Sequence, residues 1–202
     1  MKFFILASLI LLALIIYRAS RLQKKQTGNQ EQTFWEREEA ANNVRRKPLD
    51  DLEYITIPID TLPLDILPDN EIVANCINTI QQLSDQKIVN LTGYTNTDLK
   101  LEYGTANLTV LSEYDQNYTL LVRTLQEWAE ELYNAEYVAE TKTVLEFAIS
   151  THTDISKSYY LLAEIYASNL DYSKIEELLT IVSSLHSFNK QAIARTLQET
   201  YL

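Results

Sequence analysis

Three glycines, four prolines, one cysteine and two histidines are spread over 202 residues. So few glycines and prolines cannot supply the tight turns of an all-β fold, and the shortage favours helices. The single cysteine, Cys76, excludes an internal disulfide framework and a cysteine-ligated zinc cluster. His152 and His186 have no sequence-near partner for nucleophilic chemistry. Glycine-rich phosphate loops, nucleophile elbows and the HExxH pattern are all missing. Glu130–Glu131 and Glu176–Glu177 are neighbours on a helix surface, whereas paired catalytic carboxylates face one another across a cleft. The reading is a protein that is not an enzyme, with no cofactor and no metal.

Basic charge is scarce too, and unevenly placed. The net charge is −11. Residues 1–47 carry 9 Lys/Arg against 4 Asp/Glu, a net of +5; residues 48–202 carry 8 against 24, a net of −16. Nucleic acid is excluded as a partner because its phosphates would be repelled by an acidic body. A basic leader is the sign that suits anionic lipid headgroups.

What is present begins with one long apolar run. Residues 3–17, FFILASLILLALIIY, are uncharged. At about 1.5 Å per residue they span ~23 Å, somewhat less than a ~30 Å hydrocarbon core, a shortfall that snorkelling Lys2, Arg18 and Arg21 can cover. A cleaved signal peptide would need its basic charge before the run and a small-x-small site after it; here Arg18, Arg21, Lys24 and Lys25 follow it, and the local sequence is IIYRAS. The charge bias predicts an uncleaved anchor at residues 1–25 with its C-terminal side in the cytoplasm.

Residues 26–47 read as a juxtamembrane linker and a helix. The helix, Phe34 to Lys47, opens on acidic residues and closes on Arg45, Arg46 and Lys47, which suits its dipole. Phe34 and Trp35 dock either on the membrane interface or on the body. Residues 48–68 are punctuated by Pro48, Pro58, Pro63 and Pro68, which forbids a long helix or a central strand. This predicts an extended arm whose Tyr54, Ile55, Ile57, Ile59, Leu62, Leu64 and Ile66 pack onto the body; a partner-binding segment is the other reading.

Residues 69–202 form the helical domain. Asp69 or Asn70 caps a helix that ends near Ser84, with Cys76 on its apolar face. Lys87 to Leu91 reads as a strand or a helical turn. Thr97 starts a short helix that Gly104 ends, and Ala106 to Leu111 form another. Tyr94, Tyr103, Tyr114 and Tyr118 read as buried rings with their hydroxyls at the surface. Asn90, Asn107 and Asn117 each begin an Asn-x-Thr triplet, which carries no meaning if the body is cytoplasmic. Asp115 caps a helix from Gln116 to Tyr133, and Asp154 or Ser156 caps a later one.

Two stretches then share one pattern: LQEWAEELYNAEYVAETKTVLEFAIS at 125–150 and YYLLAEIYASNLDYSKIEELLTIVSS at 159–184. Trp128 and Leu162 are equivalent (162 − 128 = 34), as are Ala129 and Ala163, Leu132 and Tyr166, Thr141 and Ile175, Leu145 and Leu179, and Ala148 and Val182. A 34-residue period of paired helices marks a tetratricopeptide-type solenoid. On these residues the stretch 122–186 resembles the tetratricopeptide repeat family. The departures are alanine for the first glycine, Thr141 and Ile175 for a small alanine, and Ser187 for the usual proline. Phe188 to Tyr201 would be a capping helix. The predicted fold is all-α: a short helix-turn-helix solenoid with a C-terminal capping helix, an N-terminal transmembrane helix and an extended proline-punctuated arm. FWERE and ANNVR (34–45), the IP-D-LP arm and NLTG…NTDLKL-YG also resemble a family of small membrane-anchored bacterial proteins, a resemblance that implies no activity.

The tetratricopeptide resemblance implies that the inner face of each repeat's first helix meets a protein or peptide partner. Carried over, this face is Arg123, Gln126, Glu130, Tyr133 and Asn134, then Lys157, Tyr160, Glu164 and Ser168, with Gln191 and Gln198 from the capping helix. The expected function is a membrane-tethered adaptor or scaffold with its body on the cytoplasmic face. The alternative is an extracytoplasmic module, anchored or secreted, in cell-envelope assembly. A third reading has the proline-rich arm filling the groove.

Overall fold

A computed structural model describes residues 33–202. The expected transmembrane helix at residues 3–17 lies outside the described residues. Among the described residues the fold is all-helical, with eight helices and no strand beyond one isolated bridge, Tyr54 to Val89. None of these helices is long and apolar enough to cross a membrane. Two compact units divide the described chain: residues 33–47 with 95–108, and residues 48–94 with 109–202.

The smaller unit pairs helix α1 (residues 33–42) with α3 (Asn96–Tyr103). α1 is shorter than the sequence suggested. It stops at Asn42–Asn43, where the Asn43 amide donates to the Glu39 carbonyl, and Arg45 to Lys47 run on as irregular chain. The Lys47 amide donates to the Tyr103 carbonyl at 3.0 Å, so the basic triplet lines α3 instead of closing α1. Thr95, not Thr97, caps α3, in a reciprocal capping box with Asp98. Gly104 ends α3 at φ +87; a Cβ there would overlap the Arg45 carbonyl oxygen, so only glycine fits. The Asn107 side chain is fully buried and fully used. It accepts from Arg46 at 2.9 Å and donates to the Lys47 and Tyr103 carbonyls at 2.7 and 2.8 Å.

The larger unit opens with the proline arm. Ile57 and Leu62 are buried in its core, and Ile55, Ile59, Leu64 and Ile66 pack against that core. Tyr54 lies outside that cluster, with its ring edge-on to Tyr114. α2 (Glu71–Ser84) is capped by Asn70, whose side-chain oxygen accepts from Ile72 and Val73. Val73, Cys76, Ile80 and Leu83 form its buried stripe. Burial pushes the Cys76 thiol up to about 11.

α4 (Leu108–Asn134) absorbs both the short helix expected after Gly104 and the one expected from Gln116. Asp115 is therefore no cap; its carboxylate accepts from the Leu91 amide at 3.3 Å. Of the four tyrosines read as buried, Tyr118 alone is buried; burial pushes its hydroxyl up to about 12. α5 (Val138–Ser150), α6 (Ser156–Ser168), α7 (Tyr172–Ser184) and α8 (Lys190–Tyr201) follow. Asp154 and Ser156 do not cap α6, which has no side-chain cap; the Asp154 carboxylate instead accepts from Ser187 at 2.6 Å.

The 34-residue offset is written into the backbone. α5 and α7 begin 172 − 138 = 34 residues apart and end 184 − 150 = 34 apart. Each hairpin turns on a left-handed residue, Glu136 at φ +66 and Leu170 at φ +61. The amides of Tyr137 and Asp171 then reach back to the carbonyls of Leu132 and Tyr166, both at 2.9 Å. These are Schellman closures with no glycine at the left-handed position. α6 packs on α5, α7 and α8, and α7 packs on α8. Trp128, Ala129, Leu162 and Ala163 are all essentially inaccessible within this core. Ile193 and Leu197 bury α8's inner side.

Candidate interaction face

Three parallel stripes meet along one side of the larger unit. On α4 the i, i+3, i+4 spacing puts Arg123, Gln126, Glu130, Tyr133 and Asn134 on one face. On α6 the same spacing gathers Lys157, Tyr160, Glu164 and Ser168, and on α8 it gathers Gln191, Gln198 and Tyr201. Cross-helix hydrogen bonds fix the order α4, α6, α8. Lys157 Nζ lies 3.0 Å from Glu130 Oε1, and the Tyr133 hydroxyl donates to Glu164 Oε1 at 3.0 Å. The Tyr201 hydroxyl donates to the Tyr160 carbonyl at 3.3 Å. Tyr201 packs against the core and still reaches this side, three residues on from Gln198.

The stripes are not uniform. Gln126 is only 7 % exposed and does not face solvent. Its amide donates to Glu130 at 2.9 Å, and its oxygen accepts from the buried Ser158 hydroxyl at 2.5 Å. It is a fastener between the first helices of the two hairpins. Arg123, Asn134, Lys157, Glu164, Ser168, Gln191 and Gln198 are exposed, while Glu130, Tyr133 and Tyr160 are half-buried.

The electrostatics are quiet. Desolvation works to raise the Glu130 carboxyl, but hydrogen bonds from Lys157 and Gln126 outweigh it and hold it below the usual range. The hydrogen bond to Glu164 raises the Tyr133 hydroxyl, and burial raises that of Tyr201. Glu130 is thus ionised, and the Tyr133 and Tyr201 hydroxyls neutral, through neutral pH. The face offers ammonium, carboxylate, amide and phenol groups side by side, a surface for hydrogen bonding to a polar partner.

A second polar assembly, which no local sequence pattern marks, lies at the far ends of the hairpins. The chain between α2 and α3 crosses the C-terminal ends of α5 and α7. The Asn90 amide donates to the Tyr118 hydroxyl at 2.9 Å and to the carbonyls of Thr151 and His152 at 3.0 and 3.2 Å. Three residues on, Gly93 at φ +92 lies against His186, whose carbonyl oxygen would be 2.6 Å from an added Cβ. His152 and His186 are themselves 34 residues apart, so one loop closes equivalent ends of both hairpins. The side chains of Asn90, Asn107 and Asn117 all donate to backbone carbonyls, and a glycan on any of these nitrogens would break those bonds.

Among the described residues no three His, Cys, Asp or Glu are grouped to hold a metal ion. Compared with family models, curated proteins and solved structures, the chain has no match in any of the three.

Proposed function

We propose that the chain is a membrane-tethered adaptor whose tetratricopeptide-like body, on the cytoplasmic face, holds a protein or peptide partner on the α4–α6–α8 side. The observation that carries this reading is that side itself. Two hairpins offset by 34 residues set their first helices next to one another, and α8 extends the layer. Exposed Arg123, Asn134, Lys157, Glu164 and Ser168 then form a continuous polar face that the core does not need. The uncharged run at residues 3–17 supplies the tether, and the basic residues after it set the orientation. The proline arm packs in the core through Ile57 and Leu62, so filling the groove is not required to explain its apolar content.

Site-specific photocrosslinking tests the reading. A photoreactive residue at Arg123 or Ser168 on the face is expected to trap one discrete partner at the membrane. The same residue at exposed Thr180, on α7, is expected to trap none. Equal crosslinking from both sides would remove the face from consideration.

A further inference from the structure

Phe34, Glu38 and Ala41 lie on one stripe of α1, at i, i+4 and i+7. Burial along that stripe falls steadily toward the N-terminus. Ala41 is inaccessible, Glu38 is half-buried beneath Lys100 and Thr97, and Phe34 is 54 % exposed. Trp35, beside it, is 66 % exposed, and the two rings meet edge-on with centroids 5.5 Å apart. The helix face that packs within its unit thus runs past its partner and ends in two large bare rings. α1 does not swing freely at that point. Lys100 bonds both Glu38 and Asn42, and Arg37 pairs with Asp98.

The charge of the two units differs in a way that bears on what covers these rings. Residues 33–47 and 95–108 carry 5 Lys/Arg and 5 Asp/Glu, whereas residues 48–94 and 109–202 carry 7 against 22. An anionic headgroup layer repels the second set and not the first. Only residues 18–32 separate α1 from the apolar run, and they hold four Lys/Arg and one Glu. Fifteen residues reach roughly 50 Å at full extension, so the rings lie within that distance of whatever surface the run enters. Tryptophan, with its apolar body and one N–H, is the side chain that settles at a membrane–water boundary.

We infer that Phe34 and Trp35 form an interfacial anchor, seated in the headgroup–acyl boundary of the bilayer and fixing α1 against the membrane surface. The inference rests on the reading of residues 3–17 as a membrane tether and adds a second contact to it.

The test uses the full chain reconstituted into vesicles of equal parts phosphatidylcholine and phosphatidylglycerol, with and without bromine on the acyl chains near the headgroup. The chain has two tryptophans, and Trp128 is fully buried, so the difference between the native chain and Trp35→Phe isolates Trp35. Flotation and resistance to alkaline extraction report the tether separately. The expected result is a protein that floats, loses Trp35 emission to brominated lipid, and shows no such loss in Trp35→Phe. A protein that floats and resists extraction while Trp35 emission is untouched overturns the interfacial anchor and leaves the tether standing. A protein that does not float overturns the tether reading, and the anchor with it.

Discussion

Asn90 is the residue whose loss should cost most for its size. Its amide nitrogen serves three oxygens, and its side-chain oxygen accepts from the Thr92 amide at 2.9 Å. Truncation to alanine removes about three net hydrogen bonds, each contributing about 1 kcal/mol, and leaves the buried Tyr118 hydroxyl with one partner fewer. The expected destabilisation is about 3 kcal/mol, a fall in Tm of roughly 6–12 °C for a chain of this size. Asn90→Asp keeps the shape and replaces the donor by a carboxylate. The Tyr118 hydroxyl can turn to donate, but the Thr151 and His152 carbonyls cannot. The new carboxyl is therefore raised in the folded state above its unfolded value of about 3.9. With that sign, Asn90→Asp is closest to the native chain below about pH 4 and falls away as pH rises through the raised folded value. Thermal unfolding of the three proteins, followed by circular dichroism between pH 3.5 and 8, reads this directly. An Asn90→Ala variant within about 0.5 kcal/mol of native, or an Asp variant whose deficit does not grow with pH, would refute the hydrogen-bonding account.

Three further outcomes follow from burial and backbone geometry. Leu170 is 72 % exposed at φ +61, so Leu170→Gly relieves a left-handed strain at little loss of burial; it should stabilise by about 0.5–1 kcal/mol in urea unfolding. Gln126→Ala leaves the Ser158 hydroxyl buried without its acceptor and should cost about 2 kcal/mol, while Lys157→Ala, whose side chain is 72 % exposed, should change stability by less than about 1 kcal/mol. If the two are equal, Gln126 is not the fastener described. Leu62→Ala should cost about 2–4 kcal/mol, because the arm is part of the core; an unchanged urea midpoint would show the arm to be dispensable.

Much of the helical body was legible because apolar spacing carries it. Val73, Cys76, Ile80 and Leu83 announce α2, and the paired positions from Trp128/Leu162 to Ala148/Val182 announce two equivalent hairpins. The hairpin turns are less legible, since Glu136 and Leu170 hold left-handed conformations that glycine normally marks. Caps were the least legible feature. Asp115 and Asp154 look like helix starts but spend their carboxylates on Leu91 and Ser187, partners distant in sequence. Gln126 belongs by resemblance to the partner face, yet it sits one turn from both Val122 and Ala129 on the buried stripe. Its burial is set by Ser158, on the next hairpin, which no local pattern reveals. In the sequence Asn90 marks only the start of a triplet, because its three acceptors come from α4 and the end of α5.

The side of the membrane that the hairpins occupy is the central question for a cytoplasmic adaptor. A reporter fused after Leu202 decides it, using a phosphatase active only outside and a fluorescent protein active only inside. Fluorescence without phosphatase activity is the predicted result, in line with the basic residues that follow the apolar run. Phosphatase activity without fluorescence would contradict it and place the α4–α6–α8 face, with any partner it holds, in the cell envelope.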